Sequence, residues 1–147
     1  MNKKFWKNKK VLITGHTGFK GSWLSLWLNK MGAEVYGISL NPEGDINLFN
    51  QLNLSKELKD RNLIFDIRDK EKLKKVINSI KPEITFHLAA QPLVRESYRF
   101  PIETWEINVM GTLNLLDALT NIESQSALLV ITTDKVYKNK EWVYGYR

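Results

Sequence analysis

A doubly wound α/β fold, with a parallel sheet flanked by helices, is what this sequence predicts, and three observations predict it. Short apolar runs rich in β-branched residues alternate with segments whose apolar residues recur at helical spacing. A glycine-rich turn separates the first run from the first helical segment. The fifth run, Ala127 to Thr132, is nearly all apolar, as suits a parallel strand covered on both faces. Strands joined through helices in this order require right-handed crossovers within one sheet.

Taken in order, Val11-Leu12-Ile13-Thr14 reads as the first strand, followed by a helix carrying Trp23, Leu24, Trp27, Leu28 and Met31. Glu34 to Leu40 alternates around Val35, Tyr36 and Ile38 as a second strand, broken by the turn residues Asn41 to Asp45. Leu63-Ile64-Phe65 forms a third strand ending at Asp66, after which Asp69 can cap a helix with Leu73, Val76, Ile77 and Ile80 inward, stopped before Pro82. The fourth strand, Ile84 to Leu88, leaves through Ala89-Ala90-Gln91-Pro92. A long helix from about Ile102 to Leu119 should turn Ile107, Met110, Leu113, Leu116 and Leu119 inward. Beyond the fifth strand the sequence reads as loop, so the sheet is expected to be incomplete at its C-terminal end and to leave apolar surface open.

The 147 residues, 43% hydrophobic and 26% charged, suit one globular domain, with no internal repeat or low-complexity tract. The basic opening Met1 to Lys10 resembles a signal peptide, but the apolar run after it stops at Gly15-His16, and no stretch is long enough to span a bilayer. A cytoplasmic location and no membrane partner are expected. Without cysteine, and with two isolated histidines, no metal site is expected. The net charge of +6 invites a nucleic-acid reading. Against it, Lys56, Lys59, Lys70, Lys72, Lys74 and Lys75 interleave with Glu57, Asp60, Asp69 and Glu71, the pattern of solvated helix faces, so no nucleic-acid partner is expected. A positive field also suits anionic small ligands.

Gly15-His16-Thr17-Gly18-Phe19-Lys20-Gly21 lies between a strand and a helix, the context a dinucleotide loop requires. There Gly15 permits the tight turn, Gly18 lets backbone approach a pyrophosphate, and Gly21 lets helix and strand pack closely, while the helix N-terminus offers amides to the phosphates. This makes the predicted fold Rossmann-type. The acid that should close the second strand and bind the ribose is missing: the sequence there is Gly37-Ile38-Ser39-Leu40-Asn41, which leaves NAD and NADP both open. Asp66 could accept from an adenine amino group or serve as a helix cap. Thr132-Thr133-Asp134-Lys135 stands at the carboxyl end of the fifth strand, where such sheets place ligands, and offers either a donor, an acid and a base or a plain strand exit. His87 reads as a packed strand-end histidine.

Thr14-Gly15-x-x-Gly18-x-x-Gly21, Asp66-Ile67-Arg68-Asp69, His87-Leu88-Ala89-Ala90-Gln91 and Asn108-Val109-x-Gly111-Thr112-x-Asn114 together resemble the extended short-chain dehydrogenases/reductases, over nearly the whole chain. Within that group, Gly15 to Leu24, Gln91-Pro92-Leu93-Val94-Arg95 and Thr132 to Tyr137 resemble the CDP-glucose 4,6-dehydratases. The resemblance implies NAD as cofactor, held by Gly15, Thr17, Gly18, Phe19, Lys20, Gly21, Asp66, Ile67, Leu88, Ala89 and Ala90. It implies a nucleoside diphosphate glucose as substrate, dehydrated to a 4-keto-6-deoxy sugar for surface polysaccharide. By the same analogy Thr133 bonds the 4-hydroxyl, Asp134 protonates the departing 6-hydroxyl, and Lys135 helps remove the proton on carbon 5. Related dTDP-glucose enzymes usually carry Glu where Lys135 stands.

One departure stands out: the family's Tyr-x-x-x-Lys pair is absent, since Tyr137, Tyr144 and Tyr146 have no Lys four residues later. Residues 1–147 are therefore expected to form a partial dinucleotide-binding domain that is inactive alone. A related epimerase or reductase, and a non-catalytic dinucleotide-binding fragment, stay as rival readings. Oligomeric state is open; the resemblance implies homodimerisation through helices partly present here. The five tryptophans are expected in core and interface positions.

Overall fold

The computed structural model describes residues 2–44, 46–120, 122, 127–133 and 136–145. One parallel sheet of five strands runs in the order β3-β2-β1-β4-β5, where β1 is Lys10–Thr14, β2 Glu34–Ser39, β3 Asn62–Ile64, β4 Ile84–His87 and β5 Ala127–Val130. The strand order reverses between β1 and β4, so the carboxyl ends of those neighbours diverge into a crevice. That crevice is the place where such sheets bind ligands.

Two apolar clusters hold the sheet from opposite faces. On one, Leu12 and Ile38 pack with Phe65, Ile67, Leu73, Ile77, Leu115 and Ala118. These bring in α5 (Lys70–Ile80) and α8 (Gly111–Thr120); the other helices are α2 (Phe19–Lys30) and the short α1 (Lys3–Trp6), α3 (Leu48–Gln51), α4 (Leu54–Leu58), α6 (Val94–Arg99) and α7 (Pro101–Trp105). On the other face Val11, Ile13 and Val35 pack with Leu28, Met31, Ala33 and Leu58 of α2, its exit and α4. Ten of these side chains, among them Leu12, Ile13, Leu28 and Leu73, have no exposed surface at all, and burying each is worth about 1.5–3 kcal/mol. Asp69 caps α5, its carboxylate accepting from the Lys72 amide at 3.1 Å, and Lys81 closes that helix in the left-handed region just before Pro82.

The long helix after β4 differs from expectation. Glu106–Met110 forms a π-helical turn between α7 and α8. Its wider turn shifts the phase of everything after it. The inward positions of α8 are therefore Gly111, Leu115 and Ala118, while Met110, Leu113 and Leu116, expected inside, are exposed. Gly111 fits this seat because a methyl group there would lie 2.5 Å from Ile67 Cδ1.

The tryptophans are not all in the core. Trp6 packs its ring 6.4 Å from that of Phe86, but Trp23 and Trp27 are about half exposed, because the face of α2 toward the sheet is made of Gly21, Ser22, Ser25 and Leu28. β5, expected to be covered on both faces, is an edge strand among the described residues, with Leu129 52% and Val130 36% exposed. The open apolar surface anticipated beyond the fifth strand is thus present. No helix among the described residues is long and apolar enough to cross a membrane.

Candidate dinucleotide site

The turn after β1 is shaped by backbone proximity. Gly15 sits at φ +76°, and a methyl group on it would lie 2.8 Å from the Ala89 amide nitrogen, so glycine alone lets β1 and the exit of β4 run side by side. Gly21 is tighter still: its Cβ would stand 2.1 Å from the Gly15 carbonyl oxygen and 2.7 Å from His16 Cα. α2 consequently begins directly against the turn. Its N-cap is Gly18, which brings no side chain to the cap, and no acidic residue lies in its first turn. The first amides of α2 therefore keep their donors and their share of positive potential for an anion.

The remaining predicted positions divide by what their atoms already do. Gly18, Phe19 and Lys20 are exposed at the helix start, where they can line a ligand. Thr17 is buried, and its hydroxyl donates to the Leu40 carbonyl at 3.0 Å and stands 2.7 Å from Ser39 Oγ. Thr17 thus ties the loop to the end of β2, the place left without a ribose-binding acid. Ile67 has its side chain buried, leaving only its backbone for a ligand. Leu88 and Ala89 spend their amides on Thr14: both donate to its Oγ1 at 3.2 Å, and Leu88 also donates to its carbonyl at 3.1 Å. They shape the cleft wall rather than donate to a ligand, whereas Ala90 beyond them is exposed.

Asp66 does not cap a helix. Its Oδ1 accepts from the Arg68 amide at 2.8 Å, and its Oδ2 accepts from Arg68 Nε at 2.9 Å and Nη2 at 2.7 Å. Arg68 reaches onward to Glu106 at 3.4 Å and Glu103 at 3.7 Å, joining the end of β3 to α7 and the π turn. Burial by itself would raise the Asp66 carboxyl, but the Arg68 hydrogen bonds and charge outweigh it and hold Asp66 below the ordinary carboxylate range. Asp66 is thus an ionised, oriented acceptor with one lone pair still free on Oδ1.

His16, which no sequence motif assigns, takes its place from the fold. Its ring is fully buried, edge-on to Phe49 at 5.5 Å, with Nε2 2.6 Å from Asn62 Oδ1 and Nδ1 without a hydrogen-bond partner. Gly37 makes room for it, since a methyl group there would fall 2.3 Å from the imidazole. Burial lowers the His16 pKa, so the loop is braced by a neutral ring. No periodicity in the sequence signals this, because its partners lie on β2, α3 and β3.

At the carboxyl end of β5, Thr133 is exposed and three residues past the last strand residue. Asp134 and Lys135 lie outside the described residues. Among the described residues no cluster of three or more His, Asp or Glu could hold a metal ion.

The arrangement fits a dinucleotide: a steep glycine turn, an uncapped helix start for phosphate, and an oriented carboxylate just past the end of β3. Comparison with known proteins agrees in kind. The chain is 52% identical over its whole length to CDP-glucose 4,6-dehydratase of Salmonella typhimurium, of which it spans 40%. Its fold matches UDP-glucose 4-epimerase of Thermotoga maritima, solved with UDP-glucose, at a TM-score of 0.67 and 27% identity, over 82% of this chain and 36% of that one. It also matches the Thermus thermophilus UDP-glucose 4-epimerase complex with NAD, at a TM-score of 0.56 and 31% identity, over 74% of this chain and 32% of that one. The chain thus spans about two fifths or less of these relatives' lengths. The family model described as GDP-mannose 4,6 dehydratase matches residues 12–142, and the chain belongs to that family.

Proposed function

We propose that residues 1–147 form the NAD-binding portion of a CDP-glucose 4,6-dehydratase, a lyase that converts CDP-glucose to CDP-4-keto-6-deoxyglucose. One observation carries the dinucleotide reading. The turn after β1 is so close-packed that a methyl group on Gly21 would sit 2.1 Å from the Gly15 carbonyl, and it delivers an uncapped helix start to the carboxyl edge of the sheet. Identity of 52% over the whole chain to the Salmonella enzyme supports CDP-glucose as the substrate. NAD, when bound, would supply the reversible hydride acceptor that dehydration of the hexose between carbons 4 and 6 requires.

The chain's own residues then divide the work. The first amides of α2 hold the diphosphate, and Asp66 accepts from the adenine amino group while Arg68 keeps it charged. Thr133 orients the sugar through its 4-hydroxyl, Asp134 gives a proton to the departing 6-hydroxyl, and Lys135 takes part in removing the proton on carbon 5. A base at Lys135 needs a depressed pKa, supplied by desolvation or a neighbouring cation. The setting is cytoplasmic synthesis of sugars for surface polysaccharide. With no Tyr-x-x-x-Lys pair among the 147 residues, the chain alone binds NAD without turning over sugar nucleotide.

Thermal-shift titration tests this. NAD at a hundred times its Kd should stabilise the chain by about 2.7 kcal/mol, seen as a raised melting temperature, and CDP-glucose should add no further shift. Absence of any NAD shift would overturn the dinucleotide reading. Turnover of CDP-glucose by the chain alone would overturn its inactivity.

A further inference from the structure

His87 ends β4 with its side chain buried, facing Thr14 of β1, its register partner. The hydrogen bonds around it close a circuit. Thr14 Oγ1 stands 2.6 Å from His87 Nδ1, His87 Nε2 stands 2.8 Å from Thr112 Oγ1, and Thr112 Oγ1 donates to the Asn108 carbonyl at 2.7 Å. Asn108 then grips Gln91 twice: its Oδ1 accepts from the Gln91 amide at 2.8 Å, and its Nδ2 donates to the Gln91 carbonyl at 3.1 Å. The segment enclosed is Leu88 to Gln91, whose first two amides both donate to Thr14 Oγ1.

Counting protons fixes the direction of every bond. A hydroxyl has one hydrogen and two lone pairs. Thr112 spends its hydrogen on the Asn108 carbonyl, so toward His87 it can only accept, and Nε2 must carry a proton. Thr14 spends its lone pairs on two amides, so its hydrogen points to His87 and Nδ1 must be bare. A second proton on the ring would meet a hydroxyl with no lone pair left. Burial pushes the His87 pKa down in the same sense.

We propose that His87, held as the neutral Nε2–H tautomer, is a positioning residue for the dinucleotide cleft: it sets the spacing between the glycine turn after Thr14 and the Leu88–Gln91 segment across from it. This rests on the dinucleotide reading above. The cleft walls touch where the ring acts, since Gly15 abuts the Ala89 amide so closely that a methyl group would lie 2.8 Å from it. One limb of the ring fixes that contact through Thr14. The other fixes the far end of the segment from the π turn, which carries Asn108.

The test uses the whole 147-residue chain. Two-dimensional 1H–15N NMR of the imidazole should show the His87 proton on Nε2 at neutral pH; a proton on Nδ1 overturns the proposal. Thr112→Val keeps the shape and removes the acceptor for Nε2–H, and should weaken NAD binding at least fivefold by tryptophan fluorescence titration. Thr112→Ser should restore affinity to within twofold of the unaltered chain. Should Thr112→Val fail to fold, His87→Gln, which retains a donor toward Thr112 and loses the acceptor for Thr14, should give a loss of the same order. Unchanged NAD affinity in the folded variants overturns the positioning role alone, whereas failure of the unaltered chain to bind NAD overturns the dinucleotide reading and the role with it.

Discussion

Replacing Gly21 by alanine sets two physical effects against each other. Gly21 is the third residue of α2, and helix propensity by itself makes alanine better there by about 1 kcal/mol. The added methyl group, however, would lie 2.1 Å from the Gly15 carbonyl oxygen, 2.7 Å from His16 Cα and 2.8 Å from the Gly15 carbonyl carbon, where ordinary contact begins at 3.4 Å. All three obstacles are backbone atoms of the turn that α2 rests on, so no rotamer relieves the clash; the helix start must move by about an ångström. Inserting a methylene into packed side chains costs about 1–3 kcal/mol, and a backbone obstacle belongs at or above the upper end. The net expectation is a loss of about 2 kcal/mol or more, which for a domain of this size lowers the melting temperature by roughly 6 °C or more. Gly44→Ala is the control, since nothing lies within 4 Å of its Cβ and only its φ of +68° is penalised, by about 1–2 kcal/mol. Differential scanning calorimetry of the two variants decides it. Gly21→Ala melting at or above the unaltered chain would refute the steric account and leave propensity the larger effect.

Acidification from pH 7.5 to 5.5 should destabilise the chain in urea unfolding. Burial lowers both His16 and His87 from 6.5, so below that value the unfolded state takes up protons that the folded state refuses; the stability is fully present above 6.5 and is lost as pH falls toward the folded values. Asp66 and Glu83 are also lowered, but from 3.8 and 4.5, so their contribution is lost at lower pH still, and a rise in stability between 7.5 and 5.5 would contradict the burial of the histidines. Arg68→Ala should leave the burial of Asp66 unopposed, so that its carboxyl titrates higher in 13C NMR. The variant should lose about 1–2 kcal/mol through the bonds to Asp66 and the ties to Glu103 and Glu106, and an unmoved Asp66 titration would show that Arg68 does not govern it.

Local chemistry was enough for much of this protein. The apolar runs at Val11, Ile38, Ile84 and Leu128 mark strands because their period and β-branching leave few alternatives, and Asp69 announces a helix start three residues before the amide it accepts from. The glycine turn between β1 and α2 likewise reads directly from Gly15, Gly18 and Gly21, since Gly18 and Gly21 answer constraints within six residues, although the Ala89 backbone that crowds Gly15 comes from the distant exit of β4. Tertiary structure alone decided the rest, because it depends on which strands become neighbours. His16 acquires Asn62 and Gly37 only once β2 and β3 lie beside β1, and His87 acquires Thr14 and Thr112 only when β1 meets β4 and α8 crosses them. The phase of α8 was likewise unreadable, since one π turn at Glu106–Met110 rotates the helical pattern and exchanges Leu113 and Leu116 for Leu115 and Ala118. Residue spacing carries the geometry of a single element; the pairing of side chains from distant segments is set by sheet order and by small departures from ideal helix, and neither has a signature in spacing.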